Sequence, residues 1–282
     1  MSGDLRALSD RLAAGGVVSA DAEARLLLAH AAGVTSDRVF LVGALDEDQR
    51  ARLEAAVARR LAGDPLQHIT GEAWFRHVRV EVGPGVFVPR PETELLAGWA
   101  IDRLRGSAPG RVVAEPCTGS GAISLAIADE APGHRQYAVE LSPEAHAWAA
   151  RNLAGTAVDL RLGDLADAWP DLDGTVDVLV VNPPYVPTST RVPDEVTRDP
   201  ELAVFSGTDG LDAIRVVATL AARLLRPATT APAGEVGGAV GCEHDESHAE
   251  AVRDLFAAAG LREVHTHPDL VSRPRFTTAV AG

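Results

Sequence analysis

Cysteine is scarce: Cys117 and Cys242 are the only two in 282 residues. Two thiols cannot build a disulfide framework, so the composition fits a reducing cytosol and a cytoplasmic protein. Positive charge is also short. Lys and Arg total 26 against 40 Asp and Glu, a formal net charge of −14. That balance argues against a broad electrostatic footprint for DNA or RNA, though a locally basic cleft stays open. No apolar segment approaches the length of a membrane span. The first residues, Met1-Ser2-Gly3-Asp4, lack the basic stretch and apolar core of a leader. Internal repeats are missing too. Hydrophobic residues make up 46% of the chain, enough for a sizeable core in one large domain or a large one plus a small one. A soluble intracellular protein is expected.

The period of the apolar residues divides the chain into three. Residues 1–64 have a helical period. Leu5, Leu8 and Leu12 share a face, Ser19 can cap a second helix that stops at Gly33, and Asp46 with Gln49 forms a capping box before a third helix carrying Leu53, Val57 and Leu61. A small bundle is expected there, without chemistry of its own. Residues 65–91 switch to a period of two. His77 to Val82 alternates, Gly83-Pro84-Gly85 turns, and Val86-Phe87-Val88 returns, which predicts a β-hairpin linker. From 92 to 282 strand and helix patterns alternate. Candidate strands are Arg111–Glu115, Gln136–Glu140, Val158–Leu162, Val176–Val181, Ala239–Glu243, Arg262–Thr266 and Phe276–Val280, with helices between the first five. That pattern predicts an α/β fold with a doubly wound, largely parallel sheet. The low-complexity stretch Pro227–Gly238 predicts an exposed loop.

The most informative segment is the apolar run ending at Val181 and followed by Asn182-Pro183-Pro184-Tyr185. A buried parallel strand has this composition, and two prolines cannot extend its ladder. A carboxamide, a fixed turn and an aromatic ring are left at the strand's carboxyl end, where open α/β sheets bind ligands. An amide nitrogen is a poor nucleophile. Asn182 and the main-chain carbonyl of Pro183 can accept hydrogen bonds from such a group in one plane while Tyr185 stacks on it, so that positioning supplies most of the rate.

Three further strand ends point to a nucleoside ligand. The first strand is followed by Cys117-Thr118-Gly119-Ser120-Gly121 and a helix, a turn that lets backbone approach a ligand. Glu140 closes the next strand, where a carboxylate commonly takes ribose hydroxyls. Asp164, with Leu165 after it, follows the third; it either accepts from an adenine amino group or caps a helix. A nucleoside lying across this edge would have its reactive end beside Asn182. Cys242, His244 and His248 are metal-ligating types without a partner pair at recognised spacing, so no metal is expected.

In this order of strand ends the chain resembles the class I S-adenosylmethionine-dependent methyltransferases, a seven-stranded Rossmann-like fold. It is most similar to the HemK/PrmC type, which methylates a glutamine side-chain nitrogen (N5) in peptide chain release factors. The similarity runs from Pro65 to the C-terminus. It includes Pro65–Gly71, Val88-Pro89-Arg90-Pro91-Glu92-Thr93-Glu94, Cys117–Gly121, Ala138–Glu140, Asn182–Tyr185, Asp199–Ala203, Gly207–Leu211, Glu243-His244 and Arg273–Phe276. The resemblance implies S-adenosylmethionine as cofactor, held by residues 117–121, Glu140, Asp164, Leu165 and Asn182. It implies Asn182, Pro183, Pro184 and Tyr185 around the glutamine of a Gly-Gly-Gln loop, with Arg90, Glu92 and Glu94 at the mouth of the site or in a structural ion-pair cluster. A helical N-terminal substrate-recognition domain, a release factor as partner, no stable nucleic-acid binding and a monomer are expected with it. Three features depart from the family pattern, one of them the loop 227–238, which is longer than the tight Gly turn usual there. Glu115 stands where Asp is usual, and Pro116 where an apolar residue with an N–H is usual. Both are expected to shift the cofactor turn or weaken its hold on the methionine moiety. Three rival readings accompany this one: a nucleic-acid base exocyclic-amine methyltransferase, a ribosomal-protein glutamine methyltransferase, and a non-catalytic protein that binds the cofactor or the release factor.

Overall fold

The computed structural model describes residues 2–192, 196–231 and 237–282, with side chains from Leu5 onward. Met1 and the middle of the loop read at 227–238, residues 232–236, lie outside the described residues. Its chain packs into two compact units, one of Met1–Glu72 with Val192–Arg198, the other of Ala73–Arg191 with Asp199–Gly282.

The first unit holds α1 (Ser2–Ala14), α2 (Ala20–Ala32), α3 (Glu47–Leu61) and the short α4 (Leu66–Thr70). Leu8 and Leu12 meet Leu27, Val57 and Ile69 in its core, and Leu5 packs against them, as the spacing on α1 predicts. The capping box at α3 is present. Asp46 Oδ1 accepts from Gln49 N at 2.7 Å, and Gln49 Oε1 accepts from Asp46 N at 3.0 Å. Ser19 occupies the N-cap of α2, but its side chain makes no capping bond.

The linker differs from the expected hairpin. β1 (Glu72–Phe75) and β2 (Val78–Glu81) form a two-stranded sheet, joined through Arg76, whose φ is +52°. Val86-Phe87-Val88 is not a strand. Val86 and Val88 are buried with Val80 and Val82 in the core of the second unit. Their alternation therefore serves packing, while the prolines at 84, 89 and 91 remove the ladder's N–H donors.

Beyond the linker come α5 (Thr93–Leu104), β3 (Val112–Pro116), α6 (Ala122–Glu130), β4 (Arg135–Glu140), α7 (Pro143–Asn152), β5 (Asp159–Leu162) and β6 (Val178–Val181). They are followed by α8 (Glu201–Val204), α9 (Asp212–Leu224), β7 (Ala239–Glu243), α10 (Ala249–Ala258), β8 (Arg262–Pro268) and β9 (Pro274–Val280). Seven strands form one sheet in the order β5-β4-β3-β6-β7-β9-β8. Its first five are parallel, and β9 runs antiparallel to both β7 and β8. Alternate residues go to opposite faces. Leu179 and Val181 join the core under α9 and α10, whereas Val178 and Val180 join the core under α5 and α6. Burial on both faces is why β6 is an unbroken apolar run. Gly241 on β7 lets α5 approach closely, since a Cβ there would lie 2.6 Å from the Trp99 ring.

One connection departs from the expected alternation. Between β5 and β6 the chain makes two 3-10 turns, Leu165–Asp167 and Pro170–Leu172, and no α-helix. Pro170 and the turn formers Asp164, Asp173 and Gly174 leave no uninterrupted helical period there.

Candidate active site

The order of chain along the sheet reverses between β3 and β6, because β3, β4 and β5 run to one side and β6 and β7 to the other. A crevice opens at such a switch point, outside the carboxyl ends of the strands. The sequence-predicted residues fall along this edge: Asp164 after β5, Glu140 ending β4, Cys117–Gly121 after β3 and Asn182 after β6.

The turn after β3 is tightly wound. Cys117, Gly119 and Gly121 all have positive φ, at +59°, +57° and +81°. Gly121 caps α6, and nothing lies within 4 Å of a Cβ built on Gly119, so the space above the turn is open. Glu140 braces this turn from the neighbouring strand. One carboxylate oxygen accepts from Gly119 N at 2.8 Å and the other from Ser142 N at 2.8 Å. Asp164 is exposed, and its Oδ1 accepts from Ala166 N at 2.9 Å, which is the capping alternative; its other oxygen carries no such bond. Burial first, and then the charges of Glu140, Glu115 and Asp164, push the Cys117 thiol up. Glu140 and Asp164 thus place two carboxylates at strand ends beside this turn.

Glu115 points inward. It is 3% exposed, and its Oε2 accepts from Ser124 N at 2.9 Å and from the Ser124 hydroxyl, within the first turn of α6. Burial pushes its carboxyl up to about 7, against the pull of the Ser124 hydrogen bonds. Pro116 takes the last ladder position of β3, opposite Val139, where the missing N–H costs the sheet least.

Asn182 and Tyr185 are held from behind. Asn182 Nδ2 donates to Thr93 Oγ1 at 3.2 Å, so the amide orientation is set and Oδ1 remains as its acceptor. The Tyr185 hydroxyl donates to Glu243 Oε1 at 3.5 Å. In the parallel ladder Val181 faces Cys242, so Asn182 and Glu243 are the next residues along two neighbouring strands. Glu243 is 1% exposed. Burial pushes its carboxyl up to about 7, opposed by Thr93, Arg275 and Tyr185 and assisted by the charge of Glu92. Burial and the same carboxylate push the Tyr185 phenol up, keeping it a neutral hydrogen-bond donor. Gly210, at φ +77°, passes so close to Tyr185 that a Cβ would sit 2.4 Å from its carbonyl oxygen.

The residues assigned to the mouth of the site fall into supporting positions. Arg90 pairs with the buried Asp199 at 2.6 Å and lies over the Phe87 ring. Glu92 is the N-cap residue of α5, without a side-chain capping bond. Thr93, Asp199 and Glu243 lie within the motifs that carry the family resemblance, and nothing in those motifs alone marks them as the supports of Asn182, Arg90 and Tyr185. Both ring nitrogens of His244 are occupied, one by the Asp245 carbonyl at 2.9 Å and one by the Thr277 hydroxyl at 2.8 Å.

The sheet order, the antiparallel last strand and this crevice define a class I methyltransferase domain. The hMettl16 catalytic domain, solved with an RNA hairpin, shares the fold with a TM-score of 0.55 at 12% identity, over 84% of this chain and 82% of that one. Residues 5–71 match the PrmC N-terminal domain. The release factor glutamine methyltransferase of Streptomyces coelicolor is 48% identical over 276 residues, 96% of this chain and 94% of that one. Its counterpart in Corynebacterium glutamicum is 41% identical over 280 residues, 98% of this chain and 96% of that one. The chain belongs to the release factor glutamine methyltransferase family.

Proposed function

We propose that this chain transfers a methyl group from S-adenosylmethionine to the side-chain amide nitrogen of the glutamine in the Gly-Gly-Gln loop of a peptide chain release factor. The observation that carries the reading is the oriented carboxamide of Asn182, fixed at the crevice with its oxygen free to accept. The crevice suits the cofactor. Open space above Gly119 admits a ligand, and the carboxylates Glu140 and Asp164 at the strand ends favour a cation. Residues 117–121, Glu140, Asp164 and Leu165 would hold it, and when bound it supplies an electrophilic methyl group.

The protein's part is positioning. Asn182 Oδ1 and the Pro183 carbonyl accept the two N–H groups of the glutamine amide, Pro184 stiffens the turn, and Tyr185 covers the amide plane. Holding a weak nucleophile in line is the main source of rate in such a site. The helical first unit presents the release factor, and the reaction belongs in the cytoplasm, where translation ends. Among the described residues no helix is long and apolar enough to cross a membrane. The net charge of −14 disfavours a nucleic-acid substrate.

The test is incubation with S-adenosylmethionine and a release factor, followed by digestion and mass spectrometry of the Gly-Gly-Gln peptide. One added methyl on glutamine, absent with Asn182→Ala, is expected. An unmodified peptide with the wild-type chain and intact cofactor binding would overturn the substrate assignment.

A further inference from the structure

Glu243 is a buried carboxylate with no part in holding the cofactor turn. Among the described residues its Oε2 is buried without a hydrogen-bond partner, and so is Nε of the neighbouring Arg275. A charged group in that state is costly unless it organises something else. Two hydroxyls face it. One is Tyr185, at 3.5 Å from Oε1. The other is Thr93, 4% exposed, which lowers the carboxyl's pKa. Active-site hydrogen bonds are often long before a ligand engages.

The direction of donation follows from the inventory of protons. Thr93 Oγ1 accepts from Asn182 Nδ2, so its single proton needs another acceptor. An ionised carboxylate can only accept. With Glu243 ionised the run is Asn182 amide to Thr93 hydroxyl to Glu243 carboxylate; the protonated acid, which gains population below about pH 7, is the donor that could reverse it. Were it reversed, Asn182 would turn its NH2 toward the substrate's own N–H groups and repel them.

We propose that Glu243 is a positioning residue for the methyl acceptor: through the Thr93 hydroxyl it locks Asn182 with Oδ1 toward the substrate amide, and through the Tyr185 hydroxyl it fixes the covering ring. The consequence for turnover rests on the glutamine methyltransferase reading above. The lock itself does not, because it is a hydrogen-bond arrangement of the protein alone.

Two measurements separate these. The first needs no substrate: the side-chain NH2 resonances of Asn182 in the full chain, assigned by their loss in Asn182→Ala. They are displaced in Glu243→Gln and in Thr93→Val, and return in Thr93→Ser, which keeps the hydroxyl. Unmoved resonances in Glu243→Gln overturn the lock whether or not the release factor is the substrate. The second is methylation of the release factor. kcat falls about 10- to 100-fold in Glu243→Gln and Thr93→Val, while KM and calorimetric Kd for S-adenosylmethionine stay within about twofold, so that misfolding is excluded as the cause. The double variant is no worse than the poorer single one, since both break one chain. Wild-type turnover in Glu243→Gln, or losses that multiply in the double variant, overturn the proposal. A wild-type chain that leaves the glutamine unmodified sinks the functional reading, and the resonances still decide the lock.

Discussion

Replacing Glu115 by Gln should stabilise the second unit, and more so as pH rises. The carboxyl is 3% exposed and its pKa is pushed from 4.5 up to about 7, mainly by burial. The folded state thus binds this proton more tightly than the unfolded chain does. Stability from this group is fully present below pH 4.5 and is lost as pH rises through about 7. At about 1.4 kcal/mol per pH unit, the full loss is on the order of 3 kcal/mol. Glutamine keeps an oxygen for the Ser124 amide and hydroxyl, and its new NH2 can donate to the neighbouring Thr118 hydroxyl, whose contact lowers the Glu115 carboxyl's pKa. The assay is urea unfolding from pH 5 to pH 8. All four tryptophans, at 74, 99, 148 and 169, lie in the second unit, so their fluorescence reports on it. The stability gap between Glu115→Gln and wild type should widen by roughly 2–3 kcal/mol across that range. Glu243 carries a similar shift, but it is common to both proteins and leaves the gap unchanged. Parallel stability curves would refute the argument.

Gly241→Ala would drive a methyl to 2.6 Å from Trp99 and should cost about 1–3 kcal/mol in the same urea assay. Asp46→Ala removes one half of the capping box on α3 and should cost the first unit about 1 kcal/mol, read from its helical circular dichroism on heating. Glu140→Gln can brace only one of Gly119 N and Ser142 N as an acceptor. Losing a charge-assisted bond of about 1.5–3 kcal/mol should weaken S-adenosylmethionine binding about 10- to 100-fold by calorimetry, with the fold intact.

The parts of this fold legible in the sequence were those set by local pattern. The two-faced burial of Val178–Val181, the Asp46–Gln49 box and the α1 stripe each follow from residues adjacent along the chain. The misread parts had a local pattern that two structures satisfy. Val86 and Val88 alternate as a strand does, yet the alternation is equally served by loop residues packing on a core, and the prolines around them decided the outcome. Likewise β5 and β6 are parallel neighbours of β4 and β3, and a parallel crossover needs length but not necessarily a helix. Ser19 has the right residue type at the right place and makes no cap, because position alone does not aim a hydroxyl.

The candidate site shows a different limit. Arg90, Glu92, Thr93, Asp199, Gly210 and Glu243 all belong to recognisable motifs, but a motif does not say which member faces the ligand. That separation depends on contacts between residues far apart in sequence: Arg90 with Asp199, Asn182 with Thr93, Tyr185 with Glu243. Each is a polar group whose partner arrives from a distant part of the chain, and each partner is buried. Burial makes an unmatched donor or acceptor costly, so these pairs constrain one another far more than surface charges do. A carboxylate at the end of β7 and a hydroxyl at the start of α5 are unremarkable as letters. Set against the one carboxamide that must present its oxygen, they become the reason it can present only that atom.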